Sequence, residues 1–554
     1  MRAIGLFGLV LASVLLTLSR GAASSEFGQV DFPVGCQAES QAEFNEAVAI
    51  LHSFWYPEAR RRFEALARKD PDCAMAHWGV AMSLWHPLWR PPGAEELAAG
   101  AAAVQKARGM PVATERERDY IDAIGVYYDD YTELPPPERA RRYQQAMERL
   151  HGKYPDDLEA AVFHALSMVA NQARDDHSYA LTLRAADLLE PLFRQAPEHP
   201  GIAHYLIHAL DYPPLAERAL PAAHRYAQIA PAVSHALHMP SHIFSQLGMW
   251  RESIDSNVDS ARAARSHQSL FDLSHALEWL AYAQLQSCRD ASARDVMQEM
   301  VSKAQPGNFA VEYAAVAIPI RIALETRDWP AAVSVAVPDS GFPLARATAL
   351  YSHAIAAAHL GDAAALRQAA AQLDALTDPA ARPAEAGRWF PDMQVQALVA
   401  RALVAELEQD SEAALELMGQ AAALEESSYM PGPGPAPVLP ARELRAELLA
   451  RQGEHGAALE AYRALGGQFA GRLNSLRGEA RAARAAGDAE AAGQAYRRLL
   501  DQCAAAPDDH PVRAEARAFL EQRYADEATR RRADRGSPAP RRARVSVPGN
   551  GPGF

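Results

Sequence analysis

Apolar residues recur along the chain at intervals of three and four, and strict alternation is scarce. Phe44, Ala47, Val48 and Leu51 make one such stripe, and Leu277, Leu280, Ala281 and Leu285 make another. Each predicts an amphipathic helix with one face turned to a core. Runs of β-branched residues are rare and glycine falls mostly at helix ends, so the pattern predicts an all-α protein. Short helices should stop at Asp70-Pro71, Tyr154-Pro155, Ala196-Pro197 and Ala230-Pro231. A residue before proline is driven out of the helical region, and proline has no N–H to continue a helix.

The stops are periodic. Pro197 and Pro231 stand 34 residues apart, as do the turn glycines Gly453 and Gly487. After each of those glycines comes a helix with a small residue four before a tyrosine: Ala458 and Tyr462, then Ala492 and Tyr496. A 34-residue helix–turn–helix unit of this kind resembles the tetratricopeptide repeat (TPR). The resemblance is clearest over Trp55–Trp78, Pro231–Ala264 and Ala441–Leu500. It implies a right-handed superhelical solenoid of stacked TPR-like hairpins, because a single hairpin cannot bury its own apolar face. Between Pro71 and Pro155 the spacing needs two irregular repeats or an insertion near Trp89-Arg90-Pro91-Pro92. A soft boundary at Gln305-Pro306-Gly307-Asn308 divides an N-terminal array, 24–305, from a C-terminal array, 306–525. The segment Met430 to Pro437 reads as a polyproline-like loop. Residues 526–554, rich in Arg, Pro and Gly, read as a disordered tail.

Composition narrows the function. The 554 residues carry 55 Lys+Arg against 69 Asp+Glu, a net charge of −14. That balance excludes a phosphate-backbone binder, so no nucleic-acid partner is expected. The one long apolar run, Ala3 to Leu18, follows Arg2 and precedes small residues at Gly21 and Ala23. It reads as a signal peptide over 1–23, leaving a periplasmic or extracellular protein with no integral membrane segment. Export permits disulfides. Cys36 and Cys73 flank one predicted hairpin, where a bridge would tie down an N-terminal strap. Cys288 and Cys503 are too distant in a linear array to pair, and are expected as buried small hydrophobes.

Histidine is where chemistry concentrates. Seven of the 19 histidines fall between His199 and His242. His204 and His208 are four apart and share a helix face, as do His238 and His242. Each member of the first pair lies 34 residues before its counterpart in the second. Equivalent positions of adjacent repeats are neighbours in space, so four imidazoles should point at one volume. His275 and Asp272 on the next first helix are expected on the same side, with His235, Asp211 and Tyr205 nearby. Imidazoles at this spacing suit Zn, Cu or Fe. Packing histidines held by acids such as Asp211 and Glu278, or an imidazolium clamp for an anion, fit the same pattern. Pro240 should kink the helix that carries His238 and His242. No H-E-x-x-H, P-loop, G-x-S-x-G or dinucleotide fingerprint occurs. A second polar–aromatic group, His52, His77, His86, Trp85 and Trp89, reads as core and capping residues of the first repeats.

The run His204-Tyr205-Leu206-Ile207-His208-Ala209-Leu210-Asp211, followed by His235-Ala236-Leu237-His238-Met239-Pro240-Ser241-His242-Ile243-Phe244, resembles a family of exported bacterial TPR proteins. Leu51-His52-Ser53-Phe54-Trp55-Tyr56 and Cys73 to Gly79 point the same way. The resemblance implies an architecture, with a concave groove lined by these histidines, and no reaction. The expected function is therefore a scaffold gripping a peptide, partner protein or small ligand in that groove. The alternative is metal binding, or a metal-dependent enzyme, at His204, His208, His238, His242 and His275.

Overall fold

The computed structural model describes residues 26–536, apart from 89–90, 174, 340, 382–386, 388 and 430–433. The signal-peptide assignment, Trp89 and the start of the Met430 loop lie outside the described residues. Among the described residues all regular secondary structure is helical, with no strand. Sequential helices pack as antiparallel hairpins, and each hairpin lies against the next, so the molecule is an all-α solenoid.

The four proline stops share one conformation. Asp70, Tyr154, Ala196 and Ala230 end their helices at φ −125 to −127° and ψ 61 to 82°. That repeat of geometry is the steric effect of the following proline, and it turns the chain the same way each time. After two of the four stops a side chain caps the next helix: Asp157 accepts the N–H groups of Glu159 and Ala160, and His199 that of Ile202. In the C-terminal half the stop is glycine, with Gly453 and Gly487 at φ +86° and +81°. Tyr462 and Tyr496 are buried behind them. Gly478 lies so close that an added Cβ would sit 2.2 Å from the Tyr462 ring. The long interval before Pro155 holds Ala94–Arg108, Glu115–Tyr128 and Pro136–Lys153.

An extended strap opens the described chain and runs across the hairpin turns. Ala232 N–H donates to Glu26 O, Gln29 N–H to Glu198 O, and Gly35 N–H to Glu117 Oε1. The strap ends at the Cys36–Cys73 disulfide, with Cα atoms 4.7 Å apart.

The solenoid does not stay open. Cys288 and Cys503 form a second disulfide across 215 residues, with Cα atoms 5.3 Å apart. This corrects the expectation of two unpaired buried thiols. The distance argument assumed a straight array, whereas the array curves until its C-terminal hairpins meet its middle. Leu473 N–H donates to Gln286 Oε1 at 2.7 Å, and Trp250 Nε1–H donates to Gly471 O at 3.1 Å. Buried Arg472 is sandwiched between Glu325 and Glu443, 2.6 Å from each. The last helix, Pro511–Gly536, runs past the expected start of the tail at 526, helped by an Arg523–Glu527 pair one turn apart. Residues 537–554 lie outside the described residues.

Candidate metal centre

Three helices carry the histidines. Pro200–Leu210 begins where it does because the His199 ring caps it, Nδ1 accepting the Ile202 N–H at 3.3 Å, with Pro200 at its first position. The equivalent helix of the next repeat is broken at Met239 into Ser234–His238 and Pro240–Gln246. Pro240 supplies the kink foreseen for it, and His242 N–H bonds to Met239 O at 3.1 Å. Leu270–Gln286, capped by Ser269, brings in His275.

The imidazoles gather as two groups of three. Single ring nitrogens of His204, His208 and His235 lie within 4.8 Å of one another, and so do those of His238, His242 and His275. The expectation of four histidines on one volume is corrected accordingly. Each i, i+4 pair takes its third member from the helix that follows, because the nearest first helix lies on that side. His204 Nε2 is 3.1 Å from His235 Nε2, and His238 Nε2 is 3.0 Å from His242 Nε2.

Hydrogen bonds fix which nitrogen three of the six rings offer. His204 Nδ1 donates to the His52 carbonyl at 2.6 Å, and His242 Nδ1 donates to Asp211 Oδ2 at 2.7 Å. His238 Nδ1 donates to Asn257 Oδ1 at 2.7 Å, and the Asn257 amide is oriented by its own bond to Ser253 O. A neutral imidazole with a proton on Nδ1 presents a lone pair at Nε2. His238 and His242 therefore point two lone pairs at each other unless a cation separates them. That cation is either a proton between the two rings or a metal ion. The buried Nε2 of His208 has no hydrogen-bond partner at all.

Electrostatics favours neutral rings. Burial, reinforced by the neighbouring histidines, holds His204, His208, His235 and His238 well below the usual imidazole range. Neutral imidazole is the metal-binding form, and it makes a poor anion clamp. His204, His235, His238, His242 and His275 are only 0 to 6% exposed. The groove expectation is corrected on this point. Phe54 stacks against His208 and His235, Trp279 stacks on His242 with centroids 4.0 Å apart, and Tyr429 reaches in to bond Gln246. What remains beside His242 is a cavity of about 10 Å³ under Phe469 and Pro435.

The other expected groove residues divide. Asp211 and His235 belong to the histidine groups, as orienting acid and ring donor. Asp272 does not: it lies by the helix start, hydrogen-bonded to Ser269 and Ser234. Tyr205 is fully buried and its hydroxyl meets His52 Nδ1 at 2.9 Å. Glu278 lies 3.6 Å from Arg321 and orients no imidazole. The group around His52 is also redistributed. His86 packs on Tyr56 and Trp85 on Tyr143, while His52 Nε2 meets Glu159 at 2.8 Å. His199 Nε2 holds the other Glu159 oxygen at 2.9 Å. Burial pushes the Glu159 carboxyl up, but the charge and hydrogen bonds of His52 and His199 more than reverse this and keep it low. Every ring nitrogen of that cluster has a partner, so its geometry needs no ion. Sequence reasoning missed Glu159, Asn257 and Trp279, none of which lies on the 34-residue lattice.

No family model matches the chain, and no curated protein does. Among solved structures the chain is similar to the Naa15/Naa10 complex bound to HypK-THB, over 88% of this chain and 74% of that one, at 13% identity and a TM-score of 0.23. It is similar to the human IFIT1 dimer with m7Gppp-AAAA over 77% and 90%, at 12% identity and a TM-score of 0.32. It is also similar to the APC/C hetero-tetramer Cut9-Hcn1 over 87% and 89%, at 12% identity and a TM-score of 0.33. Superpositions this loose carry no argument about activity.

Proposed function

We propose that this chain is an exported metalloprotein, a helical-repeat scaffold that holds transition-metal ions at two three-histidine centres. The observation that carries the proposal is the convergence of Nδ1-anchored imidazoles whose Nε2 atoms face each other at 3.0 Å, for His238 and His242, in a buried site. Two nitrogens bound to one ion at about 2.0–2.1 Å, at angles between octahedral and tetrahedral, stand roughly 2.9–3.4 Å apart. Anchoring the far nitrogen to a carbonyl, an amide or a carboxylate is how proteins orient metal-bound histidine. Three imidazoles with no thiolate suit Zn, Cu or Fe, and leave a further position for an exogenous ligand. Two disulfides support export, since such bridges persist in oxidising compartments.

Metal analysis of the purified mature chain, before and after loading with Zn²⁺, Cu²⁺ or Fe²⁺, tests this. Bound metal should disappear in the His204→Ala/His242→Ala double variant, and EDTA should lower the melting temperature. A chain that takes up none of these ions, with melting unchanged by EDTA, overturns the proposal.

Partner binding is the second reading, favoured by a cleft of about 410 Å³ in the C-terminal half, lined by Arg327, Arg451, Arg477 and Arg481. Each of these arginines is ion-paired, to Glu447, Glu406 or Glu515, so an acidic peptide would bind by displacing those carboxylates. Pull-down with poly-glutamate should retain the chain and lose the Arg451→Glu/Arg477→Glu variant; no retention of the wild type removes this reading.

A further inference from the structure

A separate cavity of about 110 Å³ lies in the C-terminal half, among the helices Phe309–Glu325, Phe390–Leu407 and Ser411–Ser428. Aromatic rings make much of its wall, including Phe309, Tyr313, Trp389 and Tyr429. Phe309 is nearly parallel to Tyr313 and to Trp389, with centroids 5.7 and 6.0 Å apart. Aromatic faces carry negative quadrupole potential and attract cations.

The polar groups agree in sign. Among the described lining residues there is no Lys, Arg or His, while the carboxyl of Glu425 contributes. That carboxyl is held in place by the Ala441 N–H, shared between its two oxygens at 3.1 Å each. Gln396 donates its Nε2–H to Thr348 at 3.2 Å, which leaves its buried Oε1 without a hydrogen-bond partner. An apolar ligand would leave that oxygen unpaired, and an anion would meet the carboxylate.

We propose that this cavity binds a small organic ammonium ion, against its aromatic wall, Glu425 and Gln396 Oε1. At about 30 Å³ for each water-sized group, it has room for roughly four such groups, the size of n-propylammonium or tetramethylammonium. Burial holds the empty-site Glu425 carboxyl up to about 7, and a bound cation relieves the cost of ionising it. The proposal stands apart from the metal centres and survives their failure.

Calorimetric titration of the whole mature chain with n-propylammonium and tetramethylammonium, against neutral butan-1-ol and tert-butanol, is the test. At least one cation should bind saturably, about tenfold or more tighter than its neutral counterpart. Binding should weaken about tenfold in Glu425→Gln and in Trp389→Leu, with circular dichroism unchanged. If Trp389→Leu fails to fold, Glu425→Gln and the cation–alcohol comparison decide. A wild-type chain that binds neither cation, or binds the alcohols as tightly, overturns the proposal, and so does undiminished binding in Glu425→Gln.

Discussion

Asp211 and His242, 31 residues apart, meet at 2.7 Å, and the same separation joins His204 to His235 at 3.1 Å. Both contacts step back about one helical turn from the 34-residue repeat. The helix carrying His204 and His208 and ending at Asp211 therefore supplies two rings to one histidine group and an orienting acid to the other.

On the proposed metal binding, this makes Asp211 a handle on affinity. Asp211→Asn keeps the shape and removes the charge that fixes His242 with its proton on Nδ1. Loss of such an outer partner costs about 10–100-fold in metal affinity. Chelator-competition titration reads the change, and an affinity equal to wild type would show that His242 needs no orienting acid.

Gly201 lies against the His52 ring, where an added Cβ would stand 2.6 Å from Nδ1. Gly201→Ala should cost about 1–3 kcal/mol by forcing that ring off Glu159 and Tyr205. Gly152 has nothing within 4 Å, so Gly152→Ala should be neutral or add up to about 1 kcal/mol from helix propensity. Urea unfolding of the two variants compares them, and equal effects would contradict the packing argument.

The Cys288–Cys503 bridge closes a very long loop. Its removal in Cys288→Ser/Cys503→Ser should lower stability by about 2–5 kcal/mol. Non-reducing peptide mapping should recover the linked peptides from the wild type. Free thiols at both positions would mean that the C-terminal hairpins are held to the middle without a covalent link, by the hydrogen bonds and the Arg472–Glu325 ion pair.

Burial raises the Glu425 carboxyl from 4.5 to about 7. Its stabilising contribution is fully present below about pH 4.5 and is lost as pH rises through 7, where a buried charge must form. A shift of this size corresponds to roughly 3 kcal/mol. Glu425→Gln lacks this loss, so its melting temperature relative to wild type should rise between pH 5 and pH 8. A difference that stays constant over that range would place the carboxyl in a solvated setting.

Much of the fold is written locally. The Asp70, Tyr154, Ala196 and Ala230 stops follow from the proline after each, and the turns at Gly453 and Gly487 follow from the glycine. The histidine pairs are legible for the same reason, since i, i+4 spacing on a helix needs no tertiary information. His275 was legible as a ligand and His235 as a neighbour, but not which pair each would join, because both arrive from other helices at offsets set by packing. Asn257 and Glu159 carry no sequence signal as orienting groups; each acquires its role only by touching a ring.

The sequence by itself determined the helices, their breaks, the 34-residue period and the faces on which His204, His208, His238 and His242 stand, since all of these depend on residues within a few turns. Only the tertiary structure decided that the array curves back on itself. That curvature sums small rotations between successive hairpins. It brings Cys288 to Cys503 and Tyr429 to Gln246, and it turns an expected open groove into a buried pair of histidine centres.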